Sequence, residues 1–502
     1  MTDQLRPSGL APASGLAPTS GLAPASGLPP GPKRVIKMEE IRKDPLAFLM
    51  GLAEQYGGIT YHRTERDQIY TISDPDLVGE TMAAGEAHFT KHGAPDDLML
   101  TPILGEGLLT SHGDSWSRQR ELTQPMFFRR RIEAFIPMMA WQARKLGDSW
   151  LDKSSQAEPI RVDHDLTSLT LAIVARAVLG SDISGVGRGF GKAVDAVNAF
   201  LSHGDPRDTP DTDTVIGDAA AYPKAVRTLG AIVKMLIDAR KLDLQTSGVD
   251  PSSGAGAASP AGPASVSVEH THNNDLLSVL LAANDPSTGL PLSEREIQDQ
   301  VMTMIMAGHE TTAKALTWTL YLLDRNPEVY KQVVAELAEV IGDREITVND
   351  LPNLQWCRAA IFESMRLYPP IWVISRRAVE EETIGGYAIP KGSLVCVSPW
   401  IMHHHPALWE AVEQFDPSRF LGDRPDARHP FAFMPFGAGP RRCIGRGFAT
   451  MEAVVVLATL LQQVDLSLLQ DHPVKVQALV TLRPEFGMMM TVRPAGLTAI
   501  SR

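Results

Sequence analysis

Apolar residues recur every three or four positions over long stretches of the chain, which is the spacing of one helix face. Segments 223–242 and 326–341 show this pattern. A third helix is predicted to begin at Ser293, because Glu296 follows three residues later and completes the spacing of a capping box. It is predicted to end before Pro327, which makes it long enough to cross the whole molecule.

Strand patterns are fewer and shorter. They occur at 59–61 and 68–72 near the beginning, and at 383–389 and 393–399 much later. Gly386, Pro390 and Gly392 supply turn chemistry around the last two. The predicted fold class is therefore mainly α (α+β), a large helical domain with a small β-rich element near the N-terminus.

Two segments differ in composition from the rest of the chain. Residues 8–25 repeat the hexapeptide SGLAPA, in which Pro and Gly disfavour helix and strand alike. We expect residues 1–32 to form a disordered tail, with a docking peptide for a partner as the alternative. Segment 246–274, rich in Ser, Ala, Gly and Pro, is predicted to be a flexible surface insertion. No linker separates two complete patterns, so residues 33–502 are predicted to form one domain.

Composition and charge exclude several classes of function. Hydrophobic residues make up 44% and charged residues 21%, as in an ordinary globular protein. The net charge of −12 argues against binding nucleic acid. Three scattered cysteines argue against a disulfide framework or a four-thiolate zinc site. Since neither a signal peptide nor an apolar run of ~18 residues occurs, we expect a cytoplasmic protein without a membrane anchor.

The long central helix contains a segment that is unfavourable for a buried helix. Residues 301–307 carry no charge, and the sequence Gly-His-Glu-Thr-Thr follows at 308–312. Glycine costs about 1 kcal/mol in a helix interior, and a buried carboxylate costs several more without partners. We expect this segment to interrupt the helix for a functional reason.

A glycine-rich loop near the C-terminus presents one cysteine. Cys443 follows two glycines, a proline and two arginines in the segment 436–442, and a helical pattern runs from 447 to 461. A thiol at a helix N-terminus beside arginines is expected to have a lowered pKa. Because no second cysteine or histidine lies at zinc-ligand spacing, Cys443 is either a lone soft ligand or a nucleophile.

Five signatures together resemble those of the cytochrome P450 family, from about residue 33 to the C-terminus. The pattern Phe436-x-x-Gly439-x-Arg441-x-Cys443-x-Gly445 resembles the haem-binding loop, and segment 307–312 resembles the oxygen-activation helix. Glu363-x-x-Arg366 resembles the Glu-x-x-Arg pair, and segment 415–420, with Arg419, resembles the loop that closes on it. Trp116-x-x-x-Arg120 resembles the haem-contacting helix.

The resemblance implies haem b (iron protoporphyrin IX), with Cys443 as the ligand of the iron. Phe436 and Gly437 would lie against the thiolate, and the amide of Gly445 would temper its charge. The haem propionates would be bound by Trp116, Arg120, Arg377 and Arg441, with Arg376 as an alternative to Arg377.

The resemblance also implies roles for the central helix. Ala307 and Thr311 would face the haem, and Gly308 would open space for dioxygen. Thr311 would hydrogen-bond dioxygen and Glu310 would relay protons from solvent. Glu363, Arg366 and Arg419 would form a buried structural network.

Plainer interpretations apply to several residues taken alone. Glu363 and Arg366 would be a surface ion pair, and Cys443 an inert core thiol. The run 403–405 of three histidines suggests a metal site, but we expect solvated loop histidines there. Met302, Met304 and Met306 are expected in the core, with a face that borders the substrate pocket as the alternative.

The substrate pocket implied by the resemblance is mostly apolar, so a hydrophobic small molecule is expected. Its predicted wall is formed by Leu109, Ala307, Ile371, Val373, Val480 and Thr481. A fatty acid is favoured, because the central helix most resembles that of bacterial fatty-acid hydroxylases; terpenoids, steroids and polyketides are alternatives. Segment 198–222 would be a mobile access region.

The predicted activity is O2-dependent hydroxylation or epoxidation. Because the last strand pattern ends close to the C-terminus, we expect no fused reductase, and electrons from NAD(P)H would arrive through a ferredoxin or flavodoxin-type partner. A basic patch on the Cys443 face would bind this partner, although solvated arginines at 129–131 are an alternative. The patch would comprise Arg118, Arg120, Arg129, Arg130, Arg131, Arg441 and Arg442. A monomer is expected.

Two other functions are compatible with the signatures. One is desaturation or C–C coupling on the same haem during natural-product synthesis. The other is a non-catalytic haem sensor or carrier, which would have no need for the proton relay of Glu310 and Thr311.

Overall fold

The structure, a computed structural model, describes residues 27–180, 189–194, 196–197, 200, 221–247, 275–285, 288–422 and 428–495. Most of the predicted tail, the predicted insertion from residue 248 onward and most of the predicted access region lie outside the described residues.

Helices dominate the described residues, and they surround one long central helix. In chain order they are α1 (Met38–Lys43), α2 (Pro45–Tyr56), α3 (Pro75–Ala83), α4 (Pro95–Leu104), α5 (Gly113–Thr123), α6 (Arg129–Glu133), α7 (Ile136–Ser155), α8 (Val162–Leu179), α9 (Ala221–Ser247), α10 (Leu276–Ala282), α11 (Glu294–Arg325), α12 (Pro327–Val340), α13 (Gln355–Leu367), α14 (Pro399–His404) and α15 (Arg446–Gln463).

The strands form small sheets beside the helices. They are β1 (Ile59–Arg63), β2 (Gln68–Ile72), β3 (Phe89–Thr90), β4 (Ile160–Arg161), β5 (Ile374–Ala378), β6 (Glu382–Ile384), β7 (Tyr387–Ile389), β8 (Leu394–Val397), β9 (Val464–Leu468), β10 (Val476–Ala478), β11 (Leu482–Pro484) and β12 (Met489–Pro494). The predicted mainly α, α+β class is confirmed.

The largest sheet joins distant parts of the chain. Its strand order is β1-β2-β8-β5-β3, and β2 pairs in parallel with β8, with Ile69 opposite Leu394. The prediction of one strand at 383–389 is wrong, because Gly385 and Gly386 adopt positive φ and divide it into the hairpin β6–β7. Only glycine adopts these angles without strain, so they place a turn there.

The central helix α11 begins with the predicted capping box. The side chain of Ser293 accepts from the amide of Glu296, and the Glu296 carboxylate accepts from the amide of Ser293. The helix has 32 residues and ends at Arg325, immediately before Asn326 and Pro327. Its buried residues pack into the two largest hydrophobic clusters of the described residues. No helix within the described ranges is long and apolar enough to cross a bilayer.

The three histidines at 403–405 are buried, so the prediction of solvated loop histidines is wrong. His403 and His404 end α14, and the Nε2 of His403 accepts the amide of Met434 at 2.9 Å. Burial lowers the pKa of His404 to about 4. These side chains are neutral parts of the packing, because the fold removes them from water.

Candidate active site

A cavity of about 770 Å³ lies beside the central helix and reaches from Cys443 to α1 and α2. Its walls come from α4, α5, α11, β5, the loop before α15 and the turn between β10 and β11. Residues that are far apart in sequence meet here, and they include most of the predicted site residues. Those that line it are Leu109, Trp116, Arg120, Ala307, Glu310, Thr311, Ile371, Val373, Phe436, Gly437, Arg441, Cys443, Val480 and Thr481.

The loop before α15 is shaped by two glycines. Gly437 and Gly439 both have φ of +67°, and a Cβ on Gly439 would lie 1.9 Å from the carbonyl oxygen of Met82. No other residue fits that position. The amide of Cys443 donates to the carbonyl of Phe436 at 2.9 Å, which closes the loop and presents the sulfur to the cavity.

The thiol of Cys443 does not have the lowered pKa that its neighbours suggested. Burial raises this pKa, and the amides of Gly445 and Arg446 and the charge of Arg120 oppose the rise only in part. The prediction counted the adjacent charges but not the protein packed around the thiol, although Cys443 itself remains exposed. A metal cation at the sulfur supplies the charge that deprotonates a coordinating thiol.

Cationic and aromatic side chains gather at the same end of the cavity. The guanidinium of Arg441 lies 4.5 Å from the ring centroid of Trp116 and donates to Glu86 at 2.5 Å and to the carbonyl of Ser111 at 2.7 Å. Arg120 donates to the carbonyl of Arg442 at 2.9 Å. These bonds fix the two guanidinium groups beside Cys443.

The structure places Arg376 at the cavity and Arg377 away from it. Arg377 donates to the carbonyls of Gly93 and Gly392 and to Asp67 at 2.6, 2.9 and 2.7 Å. Arg376 lines the cavity, and burial lowers its pKa. Arg377 is therefore not at the cavity, where the assignment to the propionates would need it, and the alternative, Arg376, lines the cavity, because neighbours in a strand face opposite sides.

Lys91 and Asp96 complete this polar end and were not predicted. Lys91 is 5% exposed; its Nζ lies 2.8 Å from Asp96 and donates to the carbonyl of Leu109 at 3.1 Å. Burial lowers the pKa of Lys91, although Asp96 opposes this. No motif or periodicity in the sequence distinguishes this lysine from a surface lysine, so only the fold could reveal it.

The donor set fits the haem that the resemblance implies. One thiol faces the cavity from a glycine cradle, and apolar walls surround the remaining space. Four cationic side chains, Lys91, Arg120, Arg376 and Arg441, line the polar end and match two propionate carboxylates. Within the described part of the chain, no group of three or more His, Cys, Asp or Glu side chains could hold a metal ion. A single soft ligand is the arrangement of a haem-thiolate site.

The central helix presents Ala307, Glu310 and Thr311 to the cavity, but Gly308 faces elsewhere. A Cβ on Gly308 would lie 2.7 Å from Cγ2 of Val174 on α8. The expectation that Gly308 opens space for dioxygen is thus wrong. Its missing side chain instead allows α8 to pack closely against α11.

The segment 308–312 does not interrupt α11, which runs unbroken from Glu294 to Arg325. Hydroxyl groups compensate for the weak segment, since Thr311 donates to the carbonyl of Ala307 at 3.0 Å. Thr170 on α8 donates to the carbonyl of His309 at 2.7 Å. Such side-chain bonds to helix carbonyls substitute for or supplement the helix's own bonds.

The carboxylate of Glu310 has a partner from outside its motif. The hydroxyl of Thr481, in the turn between β10 and β11, donates to Glu310 Oε1 at 3.0 Å. Thr481 was expected only as a wall of the substrate pocket. In the structure Thr481 lines the cavity and also donates this hydrogen bond to Glu310.

The substrate end of the cavity is apolar. Leu109, Ile371, Val373 and Val480 line it together with residues that were not predicted. These additional apolar residues are Met99, Leu100, Ile103, Leu104, Leu108 and Leu479. Met302 and Met304 are buried in the core, and Met304 and Met306 also border the cavity.

Glu363, Arg366 and Arg419 meet in a buried ion network. Arg366 donates to both carboxylate oxygens of Glu363, at 2.8 and 2.7 Å, and Arg419 lies 3.3 Å from the same carboxylate. Arg366 also donates to the carbonyls of His403, Val412 and Gln414. Both side chains of the central pair are completely buried, so the network joins α13 to the loops around α14.

The predicted basic patch is smaller than the sequence suggested. Arg118 is bound to Asp285 and Glu296 at 2.5 and 2.6 Å, and Arg441 faces the cavity. A surface groove of about 1630 Å³ instead runs beside the first turn of α15. Its charged lining comprises Arg129, Arg358, Arg419, Arg428, Arg446, Glu133 and Glu410.

Comparison with known proteins agrees with the geometry. The family model described as Cytochrome P450 matches residues 29–490. "Cyclooctatin synthase" of Streptomyces melanosporofaciens is 33% identical over 83% of this chain and 84% of its own length. "Cyclooctat-9-en-7-ol 5-monooxygenase" of the same organism is 30% identical over 83% and 84%.

A solved structure shares the fold. "Crystal structure of cytochrome P450DA heme domain" superposes with a TM-score of 0.75 at 28% identity, covering 97% of this chain and 99% of that one. From the cavity, the cysteine loop and these comparisons it follows that the chain belongs to the cytochrome P450 family and is a haem-dependent monooxygenase.

Proposed function

We propose that this monooxygenase hydroxylates or epoxidises a neutral, largely hydrocarbon substrate of the cyclic terpenoid class. The observation that carries the proposal is the charge distribution of the cavity: Lys91, Arg120, Arg376 and Arg441 lie at the polar end, whereas the substrate end is lined by Leu, Ile, Val and Met side chains. Burying a charged substrate there would be costly. The name of one relative, which describes a monooxygenase acting on a cyclic alkenol, supports the same class.

A fatty acid, the class favoured by the central-helix resemblance, is the second candidate. Arg42 lines the cavity where it meets α1 and is exposed, so a carboxylate could remain near solvent while its chain extends inward. This candidate requires the charged end of the substrate to stay at Arg42, far along the cavity from the apolar residues beside the central helix.

The cofactor is proposed to be haem b, which when bound activates O2 with two electrons from NAD(P)H delivered by a separate protein. Cys443 would bind its iron, and Lys91, Arg120, Arg376 and Arg441 would bind the propionates. Ala307, Ile371 and Val480 would position the substrate.

Thr311 and Glu310 would manage protons at the reaction site. The hydroxyl of Thr311 donates to the carbonyl of Ala307, so its oxygen can accept another hydrogen bond, and rotation about Cβ–Oγ1 redirects the hydrogen to the cavity. Glu310, which also lines the cavity, would bring each proton from solvent. Adjacent residues of one helix thus supply a carboxylic acid that delivers protons and an alcohol that directs a hydrogen bond into the cavity.

The proposed electron donor is a ferredoxin or flavodoxin that binds at the arginine-rich groove beside α15, and the proposed oligomeric state is a monomer. The first turn of α15 directly follows Cys443, so a donor in this groove would lie near the ligand of the iron. Arg419 is committed to Glu363, but the other four arginines of the groove outnumber its two glutamates and would attract an acidic protein despite the net charge of the chain.

A carbon monoxide difference spectrum of the reduced holoenzyme tests the ligand, and substrate titration of the same sample tests the class. A far-red-shifted Soret band is expected, followed by a low-to-high-spin change with a cyclic diterpene alcohol and a weaker one with a long-chain fatty acid. The reverse order would favour the second candidate. Product analysis distinguishes oxygen insertion from desaturation or coupling, and absence of the shifted band from haem-replete protein would overturn the role of Cys443.

A further inference from the structure

The carboxylate of Glu310 is held at the cavity edge by a residue outside the central helix. Thr481 is 3% exposed, and its hydroxyl donates to Glu310 Oε1 at 3.0 Å. A buried hydroxyl with one charged acceptor has little freedom to choose another partner. Thr481 therefore sets the direction in which the Glu310 side chain points.

A buried lysine lies one helical turn beyond Glu310. Lys314 is 8% exposed, although it stands in the middle of α11, and its Nζ donates to Thr167 Oγ1 at 3.4 Å. Residues four apart lie on the same helix face, so Lys314 shares the face of Glu310. The single long hydrogen bond to Thr167 is a weak reason to bury an ammonium group, which is costly without carboxylates nearby.

Charges of both signs surround this lysine. Burial lowers the pKa of Lys314, the carboxylates of Glu310 and Asp163 raise it, and Arg483 and Arg161 lower it. Asp163 accepts from the amide of Met488 and from Arg161, each at 2.9 Å. The Arg161 side chain is 55% exposed, so a series of charged groups extends from the cavity edge to the protein surface.

We propose that Thr481 and Lys314 are positioning residues for Glu310. Thr481 fixes the carboxylate at the cavity edge. Lys314, buried one helical turn away on the same face of α11, attracts the carboxylate and so limits the directions in which it can point. The inference rests on the proposed proton-relay role of Glu310 and adds the residues that make it work.

The test compares Lys314→Met and Thr481→Val with matched controls in the full-length holoenzyme. Lys314→Arg retains the buried charge, and Thr317→Val removes a buried hydroxyl of α11 that donates only to the carbonyl of Ala313 at 2.8 Å. The readouts are product formed per reductant oxidised, the solvent isotope effect on turnover, haem content and the substrate-induced spin change.

We expect Lys314→Met and Thr481→Val each to lower coupling about 3- to 10-fold, less than the 10²–10⁴ of a general acid or base itself. The solvent isotope effect should rise in both variants, and haem content should stay at the wild-type level. The spin change should also stay at the wild-type level in Lys314→Met, because Lys314 does not line the cavity. Lys314→Arg should recover most of the coupling, and Thr317→Val should not change it.

Glu310→Gln separates failure of this inference from failure of the proposed relay. If Glu310→Gln leaves coupling unchanged, the proton-relay role itself is wrong. If Glu310→Gln lowers coupling but Lys314→Met does not, only the positioning role is overturned. That role is also overturned if Lys314→Met loses haem or thermal stability without a change in coupling. Adding Lys314→Met to Glu310→Gln should cause no further loss, because both act through one group.

Discussion

At the scale of single residues, the side of a strand on which a residue falls decides its function. Arg376 and Arg377 are adjacent in β5, yet one lines the cavity and the other binds Gly93, Gly392 and Asp67 at the sheet. The two have the same chemistry and cannot be distinguished by residue type. Which one faces the cavity depends on the register of β5 with β8, in which Arg376 pairs with Val395.

Replacing each of these arginines by leucine should therefore give different results. Arg376→Leu should reduce the haem content of the purified protein several-fold, because a propionate would lose a buried, charge-assisted partner. Arg377→Leu should retain haem but lower the free energy of unfolding by about 1–3 kcal/mol, because hydrogen-bond partners at the sheet would lose their donor. Haem content by absorbance and thermal melting measure the two effects. Equal haem loss in both variants would contradict the assignment.

At the scale of secondary-structure elements, the central helix is held by two close contacts with α8. Val174 fills the space that Gly308 leaves open, and Thr170 donates to the carbonyl of His309. The glycine that looked like part of the dioxygen pocket is thus a packing feature. Helix α15 contributes a different constraint, because its completely buried Glu452 faces α11 near Thr312.

Gly308→Ala should destabilise the protein without uncoupling it. The new Cβ would lie 2.7 Å from Val174, whose branched side chain has few alternative rotamers. Overpacking of this kind costs about 1–3 kcal/mol, more than the gain in helix propensity of about 1 kcal/mol. Chemical denaturation measures the loss, and Val174→Ala should relieve it in the double variant. A drop in coupling with unchanged stability would restore the dioxygen role of Gly308.

Glu452 should make stability depend on pH. Burial raises the pKa of this carboxyl well above its usual value, and the hydroxyl of Thr312 opposes the shift only in part. Between the unfolded and folded pKa values, the folded protein keeps a proton that the unfolded chain has lost. Stability contributed by this group is therefore present at low pH and falls by about 1.4 kcal/mol per pH unit as pH rises through that window.

Glu452→Gln, which keeps the shape but cannot ionise, should remove this slope. Melting of the holoenzyme at pH values from about 6 to 8 measures it, and the variant should gain stability relative to wild type as pH increases. A wild-type slope that survives in Glu452→Gln would show that another group causes it.

At the scale of the whole molecule, the charge of one surface region is opposite in sign to the net charge of the chain. The chain has a net charge of −12, yet the groove beside α15 is lined by five arginines and two glutamates. Several arginines that looked available in the sequence are committed to internal partners, as Arg118 is to Asp285 and Glu296. The surface open to a partner is therefore centred on the groove and on exposed Arg129 and Arg130.

Reversing charge at this surface should slow electron delivery. Arg129→Glu with Arg130→Glu should reduce the rate of reduction by an acidic ferredoxin about tenfold at low salt, and the difference should shrink as salt screens the charges. Stopped-flow reduction measures the rate. Lys43→Glu, on α1 and outside the groove lining, is the control and should have little effect. Equal slowing by the control, or no salt dependence, would move the docking site away from the groove.

The sequence alone determined the features that depend on neighbours along the chain. The capping box of Ser293, the length of α11 and the glycine turns of the cysteine loop follow from local spacing and allowed φ angles. The pairing of Glu363 with Arg366 also follows from three-residue spacing on one helix. The five signatures, taken in order along the chain, indicated the family and its fold.

Tertiary structure decided which face of each helix or strand is buried and how far each ionisable group is removed from water. The register of β5 selects Arg376, α8 assigns Gly308 to packing, and burial rather than adjacent arginines governs the pKa of Cys443. Lys91 and Lys314 look like surface lysines in the sequence and are buried only because distant segments close over them. All of these features have the same physical reason. Desolvation and side-chain contacts arise between segments that are distant in the sequence.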